Sequence, residues 1–132
     1  FYSELAAHPS LQVREAVASK NHLSESAIHQ LAKDRSASVL EALLYNPAAQ
    51  AVLSADVLIG LVTESIEAAR AIAYTLDRWN DRKALIERLS IHTDPSVRQL
   101  LADNISTPKP ILFQLAKDSD SAVKEAAKRS LV

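Results

Sequence analysis

The chain has 132 residues, 48% of them hydrophobic, with 15 basic and 16 acidic side chains and a net charge of −1. A single domain of this size buries roughly two-thirds of its unfolded surface, and so even a charge balance excludes a strong electrostatic pull toward phosphate backbones. The absence of cysteine excludes disulfides, thiolate nucleophiles, cysteine-held zinc and cysteine-held iron–sulfur clusters.

The chain opens on Phe1/Tyr2/Leu5/Ala6, an i, i+1, i+4, i+5 spacing that paints one stripe of a helix. Because Phe1 already falls inside that stripe and the chain contains no Met, a processed or truncated product lacking its first helical turn is expected. A second stripe, Val13/Ala16/Val17 at i, i+3, i+4, follows three residues behind an N-cap at Ser10, so that residues 1–22 read as a pair of short helices. Residues 23–52 repeat the pair, with Ser24 before Ala27/Ile28/Leu31/Ala32 and Ser36 before Val39/Ala42/Leu43. Asn46 to Leu53, holding Pro47 and small residues, reads as a longer loop. In 53–79 the caps are Ser54 and Ser65, and the stripes are Val57/Leu58/Leu61/Val62 and Ala68/Ala71/Ile72, with Trp79 in or just before the turn. In 80–105 they are Asp81 and Asp94, before Leu85/Ile86/Leu89/Ser90 and Val97/Leu100/Leu101. Pro95 suits the first position of its helix, where no N–H is needed. In 106–132 the starts are Thr107 with Pro108, and Asp120, before Ile111/Leu112/Leu115/Ala116 and Val123/Ala126/Ala127.

The first stripes recur 26, 30, 28 and 26 residues apart, a period that means a stacked array of helix pairs. We call the first helix of each pair the L-helix and the second the V-helix. An all-α fold in one domain, 1–132, is expected, since no run alternates in the manner of a strand. Alanine in the middle of four V stripes predicts close helix approach. With one glycine in the chain, Asn21, Asn46 and Asn104 are the expected left-handed residues after V-helices, and Gly60 is read as a tight-packing position. No apolar run reaches the 18 to 20 residues of a membrane span and no signal-like start is present, so a soluble, cytoplasmic protein is the default expectation.

Thr93-Asp94-Pro95-Ser96-Val97-Arg98-Gln99-Leu100-Leu101-Ala102-Asp103-Asn104, continued by Ser106-Thr107-Pro108 to Asp118, resembles the leucine-rich repeat variant and, more broadly, HEAT-type α-repeats. The segment from His8-Pro9 to Asn21 resembles it too. Asp34 to Asn46 and Asp118 to Arg129 match less fully, and Glu64 to Leu76 departs most. The resemblance implies a right-handed α-solenoid, a superhelix of about five stacked helix pairs, with V-helices on the concave side and some L segments 3₁₀-like. It also implies that the basic residues behind the V anchors, Arg14, Arg98 and Lys124, pair with turn aspartates such as Asp34, Asp94 and Asp118. Direct ligand contact is the other reading of that column.

The V-helices present a second pair of columns, Glu15/Ser19, Glu41/Tyr45, Arg70/Tyr74, Gln99/Asp103 and Glu125/Arg129, expected to face the groove. Tyrosine and arginine are enriched at interface hot spots. Candidate partner-binding residues are therefore Arg14, Glu41, Tyr45, Arg70, Tyr74, Arg98 and Asp103. The tyrosines also fit a purely structural place across the seam between adjacent pairs, and Trp79 fits either packing or exposure. His8, His22, His29 and His92 lack metal-ligand spacing, and the serines sit at caps with no glycine-flanked nucleophile. The expectation is thus a non-enzymatic scaffold without cofactor or metal that binds a protein or peptide on its concave face. A nucleic-acid-binding or DNA-repair protein of HEAT-like build is the alternative, disfavoured by Glu15, Glu41, Asp103 and Glu125 on that face. Self-association through the repeat ends, or further repeats beyond them, is also expected, because neither end carries an obviously polar cap.

Overall fold

A computed structural model describes residues 2–132, with side chains from Glu4 onward. Phe1 and the side chain of Tyr2, half of the first apolar quartet, lie outside the described residues. The rest is helical, with no strand among the described residues. The L-helices are α1 (Tyr2–Leu5), α3 (Glu25–Ala32), α6 (Ala55–Glu64), α8 (Lys83–Ser90) and α10 (Lys109–Leu115). The V-helices are α2 (Leu11–Ala18), α4 (Ala37–Leu44), α7 (Ile66–Tyr74), α9 (Pro95–Asp103) and α11 (Ser121–Leu131). Between α4 and α6 the expected loop instead contains a one-turn helix, α5 (Pro47–Gln50), and a 3₁₀ turn, Leu76–Arg78, follows α7.

Each L-helix packs on the V-helix that follows it, and the V-helices pack on one another in chain order, α2 on α4, α4 on α7, α7 on α9 and α9 on α11. The apolar stripes meet in one continuous cluster running from Ala6 to Ala127. Ala27, Ile28 and Leu31 of α3 and Leu85 and Leu89 of α8 are its fully enclosed members on the L side. On the V side the predicted stripe is buried in α7 (Ala68, Ala71, Ile72) and α11 (Val123, Ala126, Ala127), while in α2, α4 and α9 burial moves off its middle position to the residue after the stripe. Val17, Leu43, Ile72, Leu101 and Ala127 are enclosed, as are Ala18, Leu44, Ala73 and Ala102 one residue further on, whereas Ala16 is exposed and Ala42 and Leu100 are half-buried. In α2, α4 and α9 the core face is thus centred between the fourth and fifth residues after the anchor, and Ala16 and Ala42 flank the open surface, whereas Ala71 and Ala126 are buried.

Helix starts follow two chemistries. Ser24, Ser54, Ser65, Asp94 and Asp120 cap their helices through the side chain, which satisfies first-turn N–H groups. Ser10 and Ser36 stand at the N-cap position without a side-chain cap bond. There the turn is closed from two residues upstream, His8 Nδ1 accepting from the Ser10 N–H at 2.9 Å and Asp34 Oδ1 from the Ser36 N–H at 2.9 Å. The starts of α8 and α10 fall at Arg82 and Pro108, one residue beyond the expected Asp81 and Thr107.

No described residue has a positive φ, so the left-handed role expected of Asn21, Asn46 and Asn104 is absent. Asn46 and Asn104 work through their amides instead. Asn46 Nδ2 donates to the Ala18 and Lys20 carbonyls at 2.7 and 2.9 Å, and Asn104 Nδ2 to the Ala73 carbonyl at 3.0 Å. Each therefore ties the end of one V-helix to the end of the preceding one, filling carbonyls that helix termini leave open. Gly60 is likewise not a close-packing position, since a Cβ there would meet nothing within 4 Å. Among the described residues no helix is long and apolar enough to cross a membrane.

Candidate functional site

Arg14 and Arg98 occupy equivalent places and do equivalent things. Arg14 Nε donates to Asp34 Oδ2 at 2.7 Å and its Nη1 to the His8 and Pro9 carbonyls. Arg98 Nε and Nη2 donate to the two Asp118 oxygens at 2.8 and 3.1 Å, and Nη1 to the His92 carbonyl at 2.6 Å. Both pairs are largely buried. The bidentate guanidinium holds the Asp118 carboxyl below its ordinary range, with help from the Asp120 N–H. Two of the seven candidate residues thus have their donors committed within the molecule, in the inter-pair ladder that the resemblance implied. Asp94 stands outside that ladder. It caps α9, and its bonds from the Ser96 hydroxyl and N–H lower its pKa.

The other five candidates lie on the V-helix face. Tyr45 and Tyr74 are 42% and 63% exposed, and their rings meet edge to face with centroids 6.2 Å apart at 64°. Tyr45 closes α4 and Tyr74 ends α7, so this contact spans two adjacent pairs. Partial burial pushes the Tyr45 phenol upward, with Glu41 and Tyr74 adding to the shift and Arg78 opposing it. The tyrosines therefore lie across the seam between adjacent pairs while staying exposed on the V-helix side. Arg70 leans toward Ser96, its Nη1 donating to Oγ at 3.5 Å, and Asp103 meets Arg129 at 3.5 Å.

Two furrows flank the tyrosine pair. One, of about 370 Å³, lies between α7 and α9 and is lined by Tyr74, Asp77, Leu100, Asp103, Asn104 and Ile105. The other, of about 240 Å³, lies between α2 and α4 and is lined by Ser19, Asn21, Ala42, Tyr45, Asn46 and Pro47. Asp77 and Ile105 were not visible as site residues in the sequence, because both lie in turns outside the helical columns. Ile105 is fully exposed, a placement of an aliphatic side chain in a turn that could have drawn attention. A cleft of about 380 Å³ between α8 and α10, lined by Arg82, Lys83, Glu87 and Ile111 among others, lies on the L side.

The rings of His8 and His92, each two residues before a V-helix N-cap, have structural partners. His92 Nδ1 accepts the Asp94 N–H at 3.0 Å, which puts the ring proton on Nε2, 3.2 Å from the Val62 carbonyl. Among the described residues no three His, Asp or Glu side chains converge as a metal site. Trp79 is packed, 2% exposed, with its Nε1–H donating to the Thr75 hydroxyl at 3.0 Å. Comparison with known proteins finds no matching family model, no similar curated protein and no similar solved structure.

Proposed function

We propose that the chain is a non-catalytic binding scaffold, a right-handed α-solenoid of the leucine-rich-repeat-variant or HEAT-like kind, that docks a protein or peptide on its V-helix face. The observation that carries this reading is the exposed edge-to-face pair Tyr45–Tyr74 between two furrows. Large amphipathic rings on rigid helices, beside concavities built by neighbouring helices, are the material of interface hot spots. The V-helices' packing in strict chain order supports the solenoid part of the proposal. The carboxylates of Asp77 and Asp103 beside Tyr74, with Glu41 near Tyr45, suit a partner that brings basic side chains, whose cation can rest on a ring face.

Affinity capture with the intact chain tests it. Tyr45→Ala/Arg70→Ala/Tyr74→Ala should weaken capture of a specific partner at least about 30-fold, roughly 2 kcal/mol, as hot-spot truncation does, while Phe113→Ala on the L side leaves it intact. Equal loss in both variants, or capture that ignores the triple substitution, would refute this face. A shift with duplex DNA at low salt that disappears at high salt would favour the nucleic-acid alternative.

A further inference from the structure

The polar ties between successive helix pairs are unevenly distributed. The first and second pairs are joined by Arg14–Asp34, by the Ser38 hydroxyl donating to Glu15 Oε1 at 2.5 Å, and by the Asn46 amide. The third and fourth are joined by Arg70–Ser96, His92–Val62 and Asn104–Ala73. The fourth and fifth are joined by Arg98–Asp118, Arg129–Asp103 and the Ser130 hydroxyl donating to the Ala102 carbonyl at 2.6 Å. Between the second and third pairs, among the described residues, there is no side-chain hydrogen bond and no ion pair, and the backbone bond that crosses the boundary, Leu53 N–H to the Ala49 carbonyl at 2.9 Å, only closes the α5 turn within the connection. The contact there is α4 packed on α7 and the edge of one tyrosine ring on another.

The sequence explains each missing tie. At the ladder position Leu40 stands where Arg14 and Arg98 stand in their pairs, and Thr63 stands where the turn aspartates Asp34 and Asp118 stand. At the amide position Thr75 replaces Asn46 and Asn104, and its hydroxyl is used inside its own pair, donating to the Ala71 carbonyl and accepting from Trp79. The carbonyl that a third-pair amide would have held, Leu44, equivalent to Ala18, Ala73 and Ala102, instead accepts from Gln50 Nε2 at 3.0 Å. Gln50 belongs to α5, the helical turn inserted at this one junction. The insertion therefore diverts the acceptor as well as lengthening the connection.

We propose that the α4–α7 seam is a hinge, about which the first two helix pairs turn as one body against the last three. Hydrogen bonds are directional and are lost within small rotations, whereas apolar contact is non-directional and survives the small sliding by which packed helices shear. The α7 side of the core is built of Ala68, Ala69, Ala71 and Ala73 around one large side chain, Ile72, a surface of low relief apart from that residue, with few ridges to lock a crossing angle. This inference stands on the junctions alone and holds whether or not the tyrosine face binds a partner.

The test uses the full chain, whose lack of cysteine allows spin labels at chosen exposed sites. Labels at Gln30→Cys and Arg88→Cys span the seam and the next junction. Labels at Gly60→Cys and Gln114→Cys, the equivalent positions one pair later, span two tied junctions. Double electron–electron resonance should give a broader distance distribution for the first pair of labels than for the second. Arg98→Leu/Asp118→Thr, which copies Leu40 and Thr63 into the fourth-to-fifth junction, should widen the second distribution toward the first. Equal widths in the parent chain, or no widening in that variant, would overturn the hinge.

Discussion

Asp118 shows how one side chain can organise a junction. It accepts two bonds from Arg98 and a third from the Asp120 N–H, and its pKa is lowered chiefly by the guanidinium. Asp118→Asn keeps the shape and removes the charge, so it should destabilise the fold by about 1–3 kcal/mol at neutral pH by leaving a largely buried cation under-paired. A group whose folded pKa is depressed contributes fully above its unfolded value, near 4, and loses that contribution as pH falls through the lower folded value. The gap between parent and variant urea midpoints should therefore narrow from pH 7 to pH 3. Asn46 offers a second check, because its amide and its backbone make opposite predictions. If it served as a left-handed stop, glycine would be harmless. Since it holds two carbonyls and caps α5 through the Ala48 N–H, Asn46→Gly should lower stability by about 2–4 kcal/mol. The exposed Asn21→Gly should stay within about 0.5 kcal/mol of the parent, and thermal denaturation of both separates the two cases.

Helix by helix, the starts and the apolar faces were legible in the sequence because they depend on local spacing. Ser24, Ser54, Ser65, Asp94 and Asp120 sit where a cap must sit, and their oxygens reach N–H groups two or three residues away. What resisted reading depends on neighbours from another pair. The middle of the V stripe lies off the core in α2, α4 and α9, though not in α7 and α11, because its burial is set by the adjacent V-helices, and α5 is hidden because a four-residue helix has too little periodicity to register. Gly60 was misjudged for the opposite reason. Nothing in a lone glycine distinguishes a crowded helix face from an open one, and here the face is open. Gly60→Ala should accordingly stabilise α6 by about 0.5–1 kcal/mol, as helix propensity alone dictates, and a fall in the urea midpoint would contradict that placement.

Across the whole molecule, the candidate face was only partly foreseeable. Tyr45, Arg70, Tyr74 and Asp103 stand in columns that a period of about 28 residues defines, yet the furrow beside Tyr74 also needs Asp77 and Ile105, which belong to turns with no column of their own. Arg14 and Arg98 are committed to Asp34 and Asp118, and Arg70 and Asp103 share in longer ties to Ser96 and Arg129, which leaves the two tyrosines as the candidates most open to a partner. Among the described residues the long-range side-chain hydrogen bonds and ion pairs link immediate neighbours, the longest reaching 31 residues, from Asn104 to Ala73. A chain emerging from the ribosome can therefore complete each helix pair's bonds as soon as the next pair has cleared the exit, with no segment left waiting for a distant terminus.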